Sequence, residues 1–88
     1  MEWMMKIIFD RKVYQYHATL IQVSNQLEHI RVVAHNKTLV FQSNRPLLLS
    51  KGLKHRRVDY KLIEGTINNQ YFLELIVKAI EEKISSSI

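Results

Sequence analysis

The chain has 88 residues and a formal net charge of +5; 47% of its residues are hydrophobic, 24% are charged and none is cysteine. This length allows one compact domain, and the composition is typical of a folded protein rather than a disordered one. The lack of cysteine excludes a disulfide framework, a thiolate zinc site and a cysteine nucleophile, and it fits a reducing compartment. We therefore predict a single folded cytoplasmic domain over residues 1–88.

Residues 3–64 predict the strands of one antiparallel sheet. Apolar side chains alternate with others over residues 5–9, and the polar segment 10–12 then supplies a reversal. The second strand, 13–24, is rich in aromatic and β-branched residues, but its apolar phase changes near Leu20. Because one extra residue moves every later side chain to the opposite face, this change predicts a bulge or a bend.

The following segments continue the strand pattern. Residues 28–35 and 38–42 alternate, with asparagine-containing turns before and between them, and residues 58–63 alternate again. Pro46 interrupts this series because it lacks a backbone donor. The three leucines at 47–49 are predicted to be extended, which requires cover on both faces or an interface. The result is a meander of about five to six strands.

One amphipathic helix is predicted at residues 69–84, after the sheet. Asn69 is expected to cap its N-terminus, with Asn68 as the close alternative, and residues 85–88 are expected to fray. The helix carries an apolar stripe wide enough to pack on one face of the sheet. Together these elements predict an α+β fold, an antiparallel meander followed by one C-terminal helix. The stripe consists of Phe72, Leu73, Ile76, Val77, Ile80 and Ile84.

The segment 45–61 contains most of the basic excess and is the strongest functional signal. Lysine and arginine neutralise phosphates and release counterions, so this segment predicts binding to a nucleic acid or an acidic protein surface. A solvated loop that keeps a small protein soluble is the structural alternative. The candidate polyanion-binding residues are Arg45, Lys51, Lys54, His55, Arg56, Arg57 and Lys61.

Tyrosines and histidines give weaker signals. Tyr14, Tyr16 and Tyr60 are possible stacking platforms for bases, but they share a phase with apolar residues, which favours packing under the helix. In an extended strand His29 and His35 lie about 20 Å apart and cannot share an ion. No known metal-binding spacing is present, so we predict no metal site.

No motif points to catalysis. The chain has no nucleophile elbow and no glycine-rich phosphate loop, and the only acid placed inside a predicted strand is Asp59. Its neighbours Arg57 and Lys61 have the same phase, which favours a structural ion-pair network. We therefore predict a protein that is not an enzyme, with no catalytic residues and no cofactor. A small enzyme is the third hypothesis, after an assembly module and a polyanion binder.

Surplus apolar residues predict self-association. One helix covers only one face of a sheet, and several apolar residues fall on the opposite phase. We therefore expect a small non-enzymatic binding or assembly module, a homodimer or higher oligomer. No membrane contact is expected, because the apolar stretch 71–80 is shorter than the ~18 residues needed to cross a bilayer. The candidate interface residues are Ile8, Val33, Val40 and Leu48.

Overall fold

The computed structural model describes residues 1–34, 37–53 and 56–86, except for the side chains of residues 85 and 86. Its five strands form one antiparallel sheet in the order β1-β2-β3-β4-β5. The predicted α+β meander with a C-terminal helix is thereby confirmed. The elements are β1 Glu2–Phe9, β2 Lys12–Gln22, β3 Glu28–Ala34, β4 Lys37–Ser43, α1 Arg45–Ser50, β5 Tyr60–Glu64 and α2 Gln70–Ser86.

Helix α2 packs on one face of the sheet, which we call the covered face. Three isoleucines spaced four residues apart form the centre of its buried stripe, Ile76, Ile80 and Ile84. Each buried isoleucine contributes on the order of 1.5–3 kcal/mol by leaving water. The sheet supplies alternate residues to the same core, namely Trp3, Met5, Ile7, Tyr16, Ala18, Ile30, Val32, Leu39 and Phe41.

The N-terminus of α2 is capped as the sequence predicts. The side-chain Oδ1 of Asn69 accepts a hydrogen bond from the backbone N–H of Phe72 at 3.0 Å. The ring of Phe72 then packs 4.9 Å from Phe9 and 5.0 Å from Tyr14, between ring centroids. The helix therefore starts over the β1–β2 turn. It ends at Ser86, two residues beyond the predicted boundary, and residues 87 and 88 of the predicted tail lie outside the described residues.

The predicted bulge in the second strand is wrong. The β2–β3 register runs without interruption from His17 opposite Val33 to Gln22 opposite Glu28. The apolar phase changes near Leu20 because Ile21 is an apolar residue whose side chain is exposed on the face away from α2. The irregular pairing lies instead between β4 and β5.

The three leucines at 47–49 are helical, not extended. They belong to α1, where Pro46 occupies the first turn. Proline is tolerated there because the N–H groups of the first turn have no intrahelical partner. The hydroxyl of Ser50 donates to the carbonyl of Leu47 at 2.9 Å near the end of this helix. Strand β5 consequently begins at Tyr60, two residues later than predicted.

Gly65 directly follows the last residue of β5. Its φ of +89° lies in the left-handed region, and an added Cβ would lie 2.6 Å from the carbonyl oxygen of Thr38. Only glycine therefore fits without movement of the β4 backbone. No helix in the described part of the chain is both long and apolar enough to cross a membrane.

Candidate functional site

A buried ion pair fixes helix α1 to the end of the sheet. Glu28, only 1% exposed, lies at the start of β3 on the covered face. Arg45 donates to it in a two-pronged arrangement, from Nε at 2.8 Å and from Nη2 at 2.7 Å. The hydroxyl of Ser43, also buried, donates to the same carboxylate at 2.7 Å. The hydrogen bond to Glu28 raises the pKa of Arg45 above its usual value.

This pair was not predicted, although the sequence carries a signal for it. Glu28 shares its phase with Ile30 and Val32, and a charged side chain on the buried phase of a strand requires a buried partner. The prediction assigned Arg45 to polyanion binding. In the structure its guanidinium is largely committed to Glu28, so most of its charge is compensated inside the protein.

Arg45 also lines a cavity of about 290 Å³ between α1, the segment before β5 and the end of α2. Two exposed arginines from the predicted basic segment, Arg56 and Arg57, line the same cavity. Neither makes an ion pair within the described ranges. Apolar side chains and one acid complete the lining, which is Leu48, Leu49, Leu53, Val58, Tyr60, Glu81 and Ile84.

Tyr60 is one of the residues that line this cavity. Burial, and after it the carboxylates of Glu81 and Glu28, raise the pKa of Tyr60 to about 12. The phenol therefore stays neutral at physiological pH and can both donate and accept.

The structure divides the predicted basic cluster. Lys51 is exposed at the end of α1, where its backbone N–H bonds to the carbonyl of Leu47 at 3.2 Å. Lys61 lies opposite Gln42, on the face of the sheet away from α2. The remaining two candidates, Lys54 and His55, lie outside the described residues. Of the predicted residues that the structure describes, the cavity brings together Arg45, Arg56 and Arg57.

The tyrosines of the sheet pack under the helix, which is the arrangement that the sequence pattern favours. Tyr16 is 4% exposed, and Tyr14 meets Phe72 edge to face. Tyr60 is half-buried on the same face. The interpretation of these rings as stacking platforms on an open sheet is therefore wrong.

The predicted ion pairs of Asp59 are also wrong. Asp59 precedes β5, so it does not alternate with Arg57 and Lys61 on a strand, and it pairs with neither of them in the described ranges. Its backbone N–H donates to Oδ1 of Asn44 at 2.9 Å. Among the described residues, no three His, Asp or Glu side chains cluster closely enough to hold a metal ion.

The face away from α2, which we call the open face, carries exposed apolar residues among polar ones. The candidate interface residues Ile8, Val33 and Val40 lie on it, and Ile8 is 67% exposed. Leu48 does not lie on this face, because it belongs to α1. It lines the cavity that Arg45, Arg56 and Arg57 share, which we call the arginine cavity. Other exposed apolar residues of this face are Met4, Val13, Ile21 and Ile63, and its polar residues include Lys6, His17, His29, Arg31 and Lys61.

The sheet ends in two unlike edges. Strand β1 is eight residues long and pairs regularly with β2 along its whole length. Strand β5 is five residues long and pairs irregularly with β4. A long, regular edge strand presents unpaired backbone groups to another chain, whereas a short or bulged edge is protected. Strand β1 is therefore the more open edge.

Comparisons with family models, with curated proteins and with solved structures find no significant match. The function is therefore inferred from the geometry of these surfaces.

Proposed function

We propose that this chain is a small non-enzymatic binding and assembly module that forms a homo-oligomer. Its copies join through the part of the sheet that α2 leaves uncovered. The observation that supports this most is the apolar content of the open face, where Met4, Ile8 and Val13 are 64%, 67% and 58% exposed. Scattered exposed apolar residues are common in monomers, but here they lie on alternate positions of one continuous sheet.

The size of the open face is close to what association needs. Five strands about 4.8 Å apart and about seven residues long, at ~3.3 Å per residue, give a flat area on the order of 550 Å². A stable interface buries about 800 Å² on each partner. The open face therefore supplies much of an interface between two copies.

A matched pair of substitutions tests this proposal. Ile21→Thr removes an exposed apolar side chain from the open face and keeps the β-branched shape. Val23→Thr changes a residue of similar exposure, 54%, that lies beyond the end of β2. Light scattering at high micromolar concentration should show a mass above that of the monomer for the unmodified chain and for Val23→Thr, and a lower mass for Ile21→Thr. A strict monomer throughout would overturn the proposal.

A second candidate function is anion binding at the arginine cavity. The observation that favours it is that Arg56 and Arg57, both without ion-pair partners in the described ranges, line the same cavity as Tyr60. Glu28 compensates Arg45, and Glu81 lies in the same lining. The net attraction for a phosphate group therefore comes from the two exposed arginines.

Salt dependence tests this second candidate. Two phosphate contacts to a single strand predict that log K falls with log salt with a slope of about −1.4. The double variant Arg56→Ala/Arg57→Ala should abolish oligonucleotide binding at low salt. Lys6→Ala/Lys61→Ala removes the same charge from the open face and should leave that binding in place. Equal losses in both variants would show that only net charge matters and would exclude a site at the cavity.

A further inference from the structure

We propose that β1 pairs antiparallel with β1 of a second copy, about a two-fold axis through Met4. The pairing places Glu2 of each copy opposite Lys6 of the other. This inference depends on the proposed self-association and adds to it a second contact, at the edge of the sheet, besides the one through the open face. The resulting dimer has one continuous sheet of ten strands, and the α2 helices of the two copies lie on the same side of it.

The backbone groups of the free edge belong to the even-numbered residues of β1. The N–H of Leu20 donates to the carbonyl of Met1 at 2.8 Å, so Met1 points its backbone groups towards β2. Hydrogen-bonded pairs recur at every second residue of an antiparallel ladder. The groups of the odd residues are therefore used by β2. Those of Glu2, Met4, Lys6 and Ile8 point to the free edge.

Charge selects the register. Residues opposite each other across an antiparallel pair share a face, and opposite charges there stabilise the pair while like charges destabilise it. A two-fold axis at Met4 sets Glu2 against Lys6 twice and Met4 against Met4. Moving the axis to Lys6 would set two lysines against each other. An axis at Met5 would set Lys6 against Met4 and Glu2 against Ile8, without an ion pair.

The covered face is compatible with this pairing. The two-fold axis is perpendicular to the sheet, so Trp3 of one copy lies opposite Met5 of the other on the helix side. Helix α2 starts over the β1–β2 turn, where Phe72 packs on Phe9. It ends near Tyr60, where Ile84 lines the arginine cavity. The helix thus starts at the Phe9 end of β1 and runs towards β5, whereas the outward backbone groups of β1 lie in the plane of the sheet.

Charge reversal gives the first test. Glu2→Lys and Lys6→Glu each replace two ion pairs of the dimer by two like-charge pairs, and each should weaken the dimerisation constant about tenfold, which corresponds to about 1.4 kcal/mol. The double variant Glu2→Lys/Lys6→Glu restores the pairing and should return the constant to that of the unmodified chain. Glu64→Lys reverses a charge on the opposite edge strand and should have no effect.

Removal of an outward N–H gives the second test. Met4→Pro deletes a donor that faces the free edge and leaves the β1–β2 ladder intact, a position where edge strands accept proline. The variant should be a folded monomer by circular dichroism and sedimentation. Met4→Leu keeps both the outward donor and an apolar side chain at the same position, and it should still dimerise.

The outcomes separate this inference from the proposed function. A strict monomer for the unmodified chain overturns both. A dimer that tolerates Met4→Pro and both charge reversals overturns the β1 edge and leaves association through the open face. A dimer that loses affinity in both single reversals without recovery in the double variant overturns the Met4 register.

Discussion

The two faces of the sheet are built from alternate residues of the same strands, and they differ in almost every physical respect. On the covered face β1 places Trp3, Met5 and Ile7, all at most 9% exposed. On the open face the same strand places Met4 and Ile8, which are 64% and 67% exposed. The residues of the covered face are therefore sufficient to form the core. The apolar residues of the open face are available for association.

The largest expected effect concerns the buried ion pair at the end of the covered face. Arg45→Met should lower the free energy of unfolding by about 3–5 kcal/mol, because it leaves Glu28 charged and buried without a partner. Denaturant unfolding followed by the fluorescence of the single tryptophan, Trp3, measures the loss. The double variant Glu28→Met/Arg45→Met should recover much of it, since an apolar pair needs no compensation. No recovery would show that the specific geometry of the pair is required.

The second effect compares neighbours on one strand. Ile7→Ala creates a cavity in the core and should cost about 2–5 kcal/mol. Ile8→Ala makes the same chemical change on the open face and should cost less than about 0.5 kcal/mol in the monomer. Both are measured by denaturant unfolding at a concentration low enough to avoid association. Equal costs would contradict the assignment of the two faces.

The third effect extends the comparison to glycine positions. Gly65→Ala would place a methyl group against the backbone of Thr38 and the side chain of Leu39, and we expect a cost of at least about 2 kcal/mol. Gly52 has a similar φ of +68°, but no atom of the described residues lies within 4 Å of an added Cβ. Gly52→Ala should therefore cost only about 1 kcal/mol, from backbone strain alone. The difference between their thermal midpoints measures the contact.

The smallest effect is a pH dependence from Tyr60. Its pKa is raised from 10.0 to about 12 in the folded chain, so the folded state retains the phenol proton longer than the unfolded state does. This contribution is fully present below pH 10 and is lost as the pH rises towards 12. Tyr60→Phe should weaken the alkaline loss of stability. The exposed Tyr71→Phe should leave it in place, and the same profile in both variants would contradict the assignment.

The periodicity of apolar residues predicted those strands and that helix in which one face is buried and the other is exposed. The strands from β1 to β4, the long helix and its cap at Asn69 follow from alternation, from a stripe at helical spacing and from one polar side chain. Helix α1 could not be predicted in this way, because three adjacent leucines have no period. Its position depends on the pairing of Arg45 with Glu28, a contact between residues 17 positions apart.

The candidate sites were predicted only in part. The surplus of apolar residues on a second phase is visible in the sequence, and so is the basic segment. Their arrangement in space is not. The separation of Lys61 from Arg56 and Arg57 depends on where β5 begins, and Leu48 moved from the expected interface to a cavity because α1 is a helix.

Sedimentation equilibrium of the unmodified chain, from low to high micromolar concentration, tests the central claim most directly. The mean mass should rise with concentration from that of one chain to that of two or more. A mass that stays at one chain over the whole range would contradict it.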